Sequence, residues 1–226
     1  MTAGESIERR IEVPGAGAVS ALLRTPARQD ALYVFAHGAG AGMRHRFMED
    51  MAQRLYARGI GTLRYQFPYS DQGRRRIDPE PVLLATVRAA VSAGREAAGG
   101  ATLLAGGKSM GGRMTSRAAA QAPLEGVAGL VFVGFPLHPA GAPGTSRADH
   151  LASVTLPMLF LQGTRDTLAG LDLLGPIVQR LGARATLRIV AHADHSFHVL
   201  KRSGRTDEQV LDELADAMSE WRGTIA

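Results

Sequence analysis

Cysteine is absent from the 226 residues. Its absence excludes a disulfide framework, thiolate metal sites and a cysteine nucleophile. Lysine is almost absent as well: Lys108 and Lys201 are the only two, so nearly all positive charge is arginine. Aromatic residues make up 5%, too few for an interleaved base-stacking surface. No apolar run nears the ~18 residues that a membrane-crossing helix needs. The opening MTAGESIERRIEVPG has no apolar core of the signal-peptide kind. A cytoplasmic protein with no membrane partner is the expectation.

What remains is ordinary for a globular chain. Hydrophobic residues are 45% and charged residues 21%. The length fits one domain over residues 1–226, which can bury roughly 70% of its extended surface without staples. The balance of 26 basic against 21 acidic residues, net +5, raises the prior for an acidic partner. The arginines are scattered, however. The single run, Arg74-Arg75-Arg76, sits between Gly73 and Ile77-Asp78-Pro79 and reads as a solvated loop. No nucleic-acid partner is expected, and the oligomeric state is not legible.

Glycine and proline punctuate the chain evenly, with no repeat and no linker. Ile7–Val13 and Val19–Thr25, split by Pro14-Gly15-Ala16-Gly17, read as a hairpin. From residue 31 the pattern alternates. The expected strands are 31–36, 60–67, 101–105, 127–135, 157–162 and 185–190. The expected helices are 47–56, 79–98, 110–122, 168–181 and 206–222, with a short one near 148–153. Strand–helix alternation implies parallel strands joined by right-handed crossovers. Ligands then bind at the carboxyl ends of the strands, so a functional residue should follow a strand.

The segment 101–114, ATLLAGGKSMGGRM, meets that test. An apolar strand runs into Gly107-Lys108-Ser109-Met110-Gly111 and then into a helix. Gly-x-Ser-x-Gly in this setting is a nucleophile elbow, which lifts the Ser109 hydroxyl clear of the backbone. Alone the motif is common, and an idle serine in a glycine-rich turn is the plain alternative. A phosphate loop is the rival for Gly107-Lys108-Ser109. It needs glycine at position 102, where threonine stands, and a loop where residues 103–106 read as strand.

A serine nucleophile needs a base, and the base needs an orienting acid. In this architecture the chain order is Ser, then Asp or Glu, then His. Asp166 follows the strand ending at Gln162, and its plainer role is a helix N-cap. Asp149 and Asp172 fit worse, lying in a loop and inside a helix. Three histidines follow the last strand. His195 is the chosen base, flanked by Asp194 and Ser196. His192 lies close to the strand end, and His198 is expected to begin a short helical stretch. The oxyanion hole is expected from the Met110 and Ala39 N–H groups, the latter in the small-residue loop 37–43. Gly38, Tyr69 and His138 are weaker candidates for bordering the substrate. Metal ligands and organic cofactors are not implied.

Six blocks in order carry a family resemblance: HGAGAGM (37–43), QFPYSDQGRRRIDPEP (66–81), GGKSMGGRM (106–114), FVGFPLHPAGAP (132–143), FLQGTRD (160–166) and ADHSF (193–197). Over nearly its whole length the chain resembles the α/β-hydrolase superfamily. More narrowly it is similar to the dienelactone-hydrolase-related branch, which includes an animal testis-expressed protein and a subunit of a histone-acetyltransferase complex. The resemblance implies a mostly parallel eight-stranded sheet with helices on both faces. It also implies Ser109, Asp166 and His195 as a catalytic triad. Dienelactone hydrolases proper use cysteine where this chain has Ser109. The stretch from Phe135 to Leu156 leaves room for a minimal lid only. Two readings follow: a serine hydrolase of the carboxylic-ester type acting on a small ester, or a non-catalytic binding or scaffold module on the same fold.

Overall fold

Residues 4–225 are described by the structure, a computed structural model. The hairpin forms as expected: β1 (Ile7–Val13) pairs antiparallel with β2 (Gly17–Arg24), and Gly15 takes the left-handed conformation (φ 76°) that the turn needs. The remaining strands are β3 (Ala31–Ala36), β4 (Ile60–Tyr65), β5 (Thr102–Lys108), β6 (Val127–Val133), β7 (Met158–Gly163) and β8 (Ala185–Val190). All eight join one sheet in the order β1-β2-β4-β3-β5-β6-β7-β8. The ladder is parallel from β4 through β3, β5, β6 and β7 to β8, and antiparallel where β2 meets β1 and β4.

The near-continuous apolar strands have a physical cause. Every residue of β3, β4 and β7 is buried, because helices cover both faces. On one face α1 (Arg46–Ala57) and α6 (Asp207–Ile225) pack over Tyr33, Phe35, Leu104 and Val131. On the other, α3 (Glu80–Ala98), α4 (Met110–Gln121) and α5 (Leu171–Leu181) cover Val34, Ala105, Phe132 and Phe160. Full burial of each such side chain contributes about 1.5–3 kcal/mol. No helix is long and apolar enough to cross a membrane among the described residues.

The differences from expectation have local reasons. β6 stops at Val133, two residues early, because Gly134 (φ 68°) turns the chain. The helix expected from 168 begins at Leu171, since the Asp166 carboxylate holds the Leu168 N–H in a turn and Gly170 becomes the cap. A one-turn helix, α2 (Pro68–Asp71), follows β4, started by its proline. Residues 198–200 are not helical; the next turn is a 3-10 segment at Lys201–Ser203. Between β6 and β7 the only helical piece is a 3-10 segment, Ser146–Ser153, so the lid is minimal.

Candidate active site

The carboxyl ends of β3, β5, β7 and β8 open on one rim, and the residues that follow them meet there. Ser109 directly follows β5 with φ 50° and ψ −115°, one of three non-glycine residues with positive φ among those described. Such a conformation costs on the order of 1–3 kcal/mol and persists only where the surroundings enforce it. The flanking glycines are part of that enforcement. A Cβ on Gly107 would stand 2.4 Å from the Ala36 carbonyl oxygen, and one on Gly111 would stand 2.6 Å from it. No side chain fits either position, so the turn can press against the end of β3.

His195 Nε2 lies 2.9 Å from Ser109 Oγ, and His195 Nδ1 lies 2.7 Å from Asp166 Oδ2. Asp166 follows β7 and its side chain is fully buried. Its second oxygen accepts from the Leu168 N–H at 2.8 Å. The turn role and the contact to histidine therefore coexist on one carboxylate. Gln162 completes the set. Its Nε2 donates to Asp166 Oδ2 at 2.6 Å, while its Oε1 accepts from the Phe135 N–H at 3.0 Å. With the carboxylate acting as acceptor, the imidazole carries its proton on Nδ1 and offers Nε2 to the hydroxyl. The other two histidines point elsewhere. His192 is exposed, and His198 pairs with Asp207 at 2.8 Å, which raises the His198 pKa.

The loop 37–43 is fastened from below. His37 Nδ1 donates to the Gly38 carbonyl at 2.8 Å, and Nε2 accepts from the Phe67 N–H at 3.3 Å. Both contacts suit a neutral ring, and burial lowers the His37 pKa accordingly. Ser70 Oγ donates to the Ala41 carbonyl at 3.2 Å. Gln66 Oε1 accepts from the Met43 N–H, and the buried Arg64 guanidinium donates to the Met43 carbonyl at 3.0 Å. The loop thus stands fixed opposite the α4 N-terminus, where Met110 is the first helical residue.

A cavity of about 350 Å³ opens over Ser109, lined by Gly38, Ala39, Phe47, Met48, Lys108 and Leu168 among others. Gly38 and Ala39 lie where the sequence suggested. Tyr69 and His138 do not line this cavity. Tyr69 is buried beside His37 and Phe67, its N–H bonded to Asp78. His138 is buried in its own loop, with Nδ1 on the Pro139 carbonyl at 2.8 Å. Sequence reasoning passed over Phe47 and Met48, whose helical spacing marked them as core. It also passed over Gln162, whose signal was a polar side chain ending an apolar strand.

Residues 29–223 match the family described as the alpha/beta hydrolase domain. The chain belongs to the α/β-hydrolase family. Solved structures with the same fold include an α/β serine hydrolase without lid from Xanthomonas campestris, at 22% identity and TM-score 0.76, covering 96% of this chain and 95% of that one. Dienelactone hydrolase from Anabaena variabilis is similar at 21% identity and TM-score 0.76, covering 99% of both chains. The esterase domain of a Rhodothermus marinus protein is similar at 17% identity and TM-score 0.70, covering 96% and 97%. These likenesses cover nearly the whole length of this α/β-hydrolase.

Proposed function

We propose that this α/β-hydrolase is a serine hydrolase that cleaves a small carboxylic ester or a related acyl bond. The observation that carries the reading is the hydrogen-bonded row from Ser109 Oγ through the His195 ring to Asp166. Ser109 attacks the acyl carbonyl while His195 Nε2 takes its proton. The tetrahedral intermediate's oxyanion rests on the N–H groups of Met110 and Ala39, with the positive end of the α4 dipole behind them. His195 then protonates the leaving alkoxide, which departs and leaves an acyl group on Ser109. Water, deprotonated by the same imidazole, releases the acid and returns the hydroxyl. Asp166 holds the imidazole tautomer and stabilises the imidazolium in both halves.

The walls of the cavity bear on the substrate. Phe47, Met48 and Leu168 are apolar and the volume is about 350 Å³, which favours a short acyl group. The likeness in fold to dienelactone hydrolase supports a small substrate.

The test is labelling with a fluorophosphonate probe, beside a panel of short-chain p-nitrophenyl esters. Wild type should label and hydrolyse, and Ser109→Ala should do neither while retaining its circular dichroism. Labelling that persists in Ser109→Ala rejects Ser109. A wild type that neither labels nor hydrolyses turns the reading toward a binding module.

A further inference from the structure

The residue before the nucleophile has an unusual position. Lys108 ends β5, yet its side chain turns back toward the histidine loop. Its Nζ donates to the His195 carbonyl at 2.5 Å. It also lies 5.4 Å from the ring centre of Phe197 and 5.8 Å from that of Phe47, two rings stacked 6.0 Å apart. A Cβ on Gly134 would stand 3.2 Å from Nζ and 3.5 Å from His195 Nδ1, so the ammonium and the ring both pack closely against the turn that ends β6. The stem passes beneath Gly38, the start of the oxyanion loop. One side chain therefore touches the strand that carries Ser109, the loop that carries His195 and the loop that carries Ala39.

We propose that Lys108 is a positioning residue, whose ammonium ties the backbone of His195 to the strand end bearing Ser109 and so sets the distance between imidazole and hydroxyl. The proposal rests on the hydrolytic reading of Ser109, His195 and Asp166. Its physical basis is a charge-assisted hydrogen bond reinforced by two aromatic faces. Without the charge both contacts weaken together, and a shift of about 1 Å at a reacting atom can cost on the order of a hundredfold in rate.

The arrangement is sensitive to pH. Burial pushes the Lys108 pKa down to about 8, against the opposing pull of Asp166 and Asp194. The other titratable groups facing this region are the His195 ring and, across the cavity, His45. Below about pH 8 the ammonium holds the loop; above it the neutral amine holds it less well, and turnover should fall on the alkaline side.

The experiment compares wild type with Lys108→Met, which keeps the stem and removes the charge. Two readouts are taken from pH 6 to 9.5: the rate of fluorophosphonate labelling, and the ¹⁵N shift of His195 Nδ1, which reports its hydrogen bond to Asp166 without needing turnover. Wild type should show both changing with a midpoint near 8. Lys108→Met should label about tenfold to a hundredfold more slowly, with a displaced Nδ1 shift and no midpoint near 8. Because the chain has no cysteine, Lys108→Cys can be aminoethylated at that site alone. The modified protein should recover both readouts, with the midpoint moved to lower pH because the thioether makes the amine less basic. Unchanged labelling and an unchanged Nδ1 shift in Lys108→Met overturn the proposal and leave the hydrolytic reading standing. If wild type does not label but its Nδ1 shift depends on Lys108, the positioning role stands and the hydrolytic reading falls. Should Lys108→Met fail to fold, Lys108→Gln takes its place in the same two readouts, and labelling and an Nδ1 shift unchanged from wild type overturn the proposal.

Discussion

His150 Nε2 lies 2.8 Å from Ser116 Oγ, a second serine–histidine pair about two helical turns beyond Ser109. Its chemistry is the reverse of the Ser109 pair. The Ser116 hydroxyl spends its proton on the Arg113 carbonyl at 2.9 Å, so the imidazole must donate to it and has no proton to take. No carboxylate holds the other ring nitrogen, and Nδ1 is buried without a hydrogen-bond partner among the described residues. The pair fastens α4 to the 3-10 segment Ser146–Ser153.

That pair makes the protein sensitive to acid. Burial, then the charges of Arg117 and Arg113, push the His150 pKa down to about 4. In the unfolded chain it returns to about 6.5. Between those values the unfolded state takes up a proton that the folded state refuses. The stabilising contribution is therefore complete above about pH 6.5 and is lost as pH falls toward 4. His150→Gln should lose less stability than wild type over that window. Urea midpoints at pH 4.5, 5.5 and 7 measure it, and parallel declines in both proteins would count against it.

Ser109 holds a conformation that glycine would adopt without strain. Ser109→Gly removes the hydroxyl and relieves that strain, against an added entropy cost in the unfolded chain of roughly 0.5–1 kcal/mol. The variant should be at least as stable as wild type by chemical denaturation, while labelling and ester hydrolysis vanish. A clear loss of stability would mean that the elbow is unstrained or that the hydroxyl has a structural duty.

How far the sequence reaches is visible in two contrasts. The strand–helix alternation and the glycines around Ser109 carry their meaning locally, so the sheet, the elbow and the meeting of Ser109 with His195 and Asp166 follow from pattern and chain order. Phe47 and Lys108 do not announce themselves. Phe47 has the spacing of a core residue and becomes a cavity wall because α1 begins over the rim. Lys108 reads as part of a glycine-rich motif, and its contact with His195 spans 87 residues of chain. Tyr69 and His138 failed as pocket residues for a related reason: following a strand places a residue near the rim, but the turn of α2 and the loop at Pro139 aim those side chains into packing.

Gln162 should matter to both fold and chemistry. It satisfies the Phe135 N–H and one lone pair of Asp166 in a wholly buried site. Gln162→Leu keeps the volume and abandons both partners, which costs about 1–3 kcal/mol for each buried group left unpaired. Asp166 would also lose a restraint on the oxygen that orients His195. A drop in melting temperature together with a fall in kcat at little-changed KM is expected. A variant that loses stability and retains full kcat would show Asp166 to be held well enough by Leu168 and His195 alone.

Lys108 yields a stability prediction that runs against its effect on activity. Its folded-state pKa of about 8 lies below its ordinary value of 10.5. From pH 8 to about 10.5 the unfolded chain binds a proton that the folded chain does not, so this group makes the protein more stable as pH rises through that window. Below pH 8 the full cost of burying the ammonium is present. The stability of wild type minus that of Lys108→Met should therefore increase from pH 8 to 10, measured by urea unfolding of both proteins in the same buffers. The subtraction cancels the titration of buried tyrosines, which is common to the two. Over the same interval wild-type turnover is expected to decline. An alkaline loss of activity in wild type that urea unfolding shows still folded at each pH, and that Lys108→Met lacks, locates the cause in the charge at His195. If the difference in stability is flat or falls with pH, the amine is not held in the depressed state and the alkaline limb must be assigned to another group.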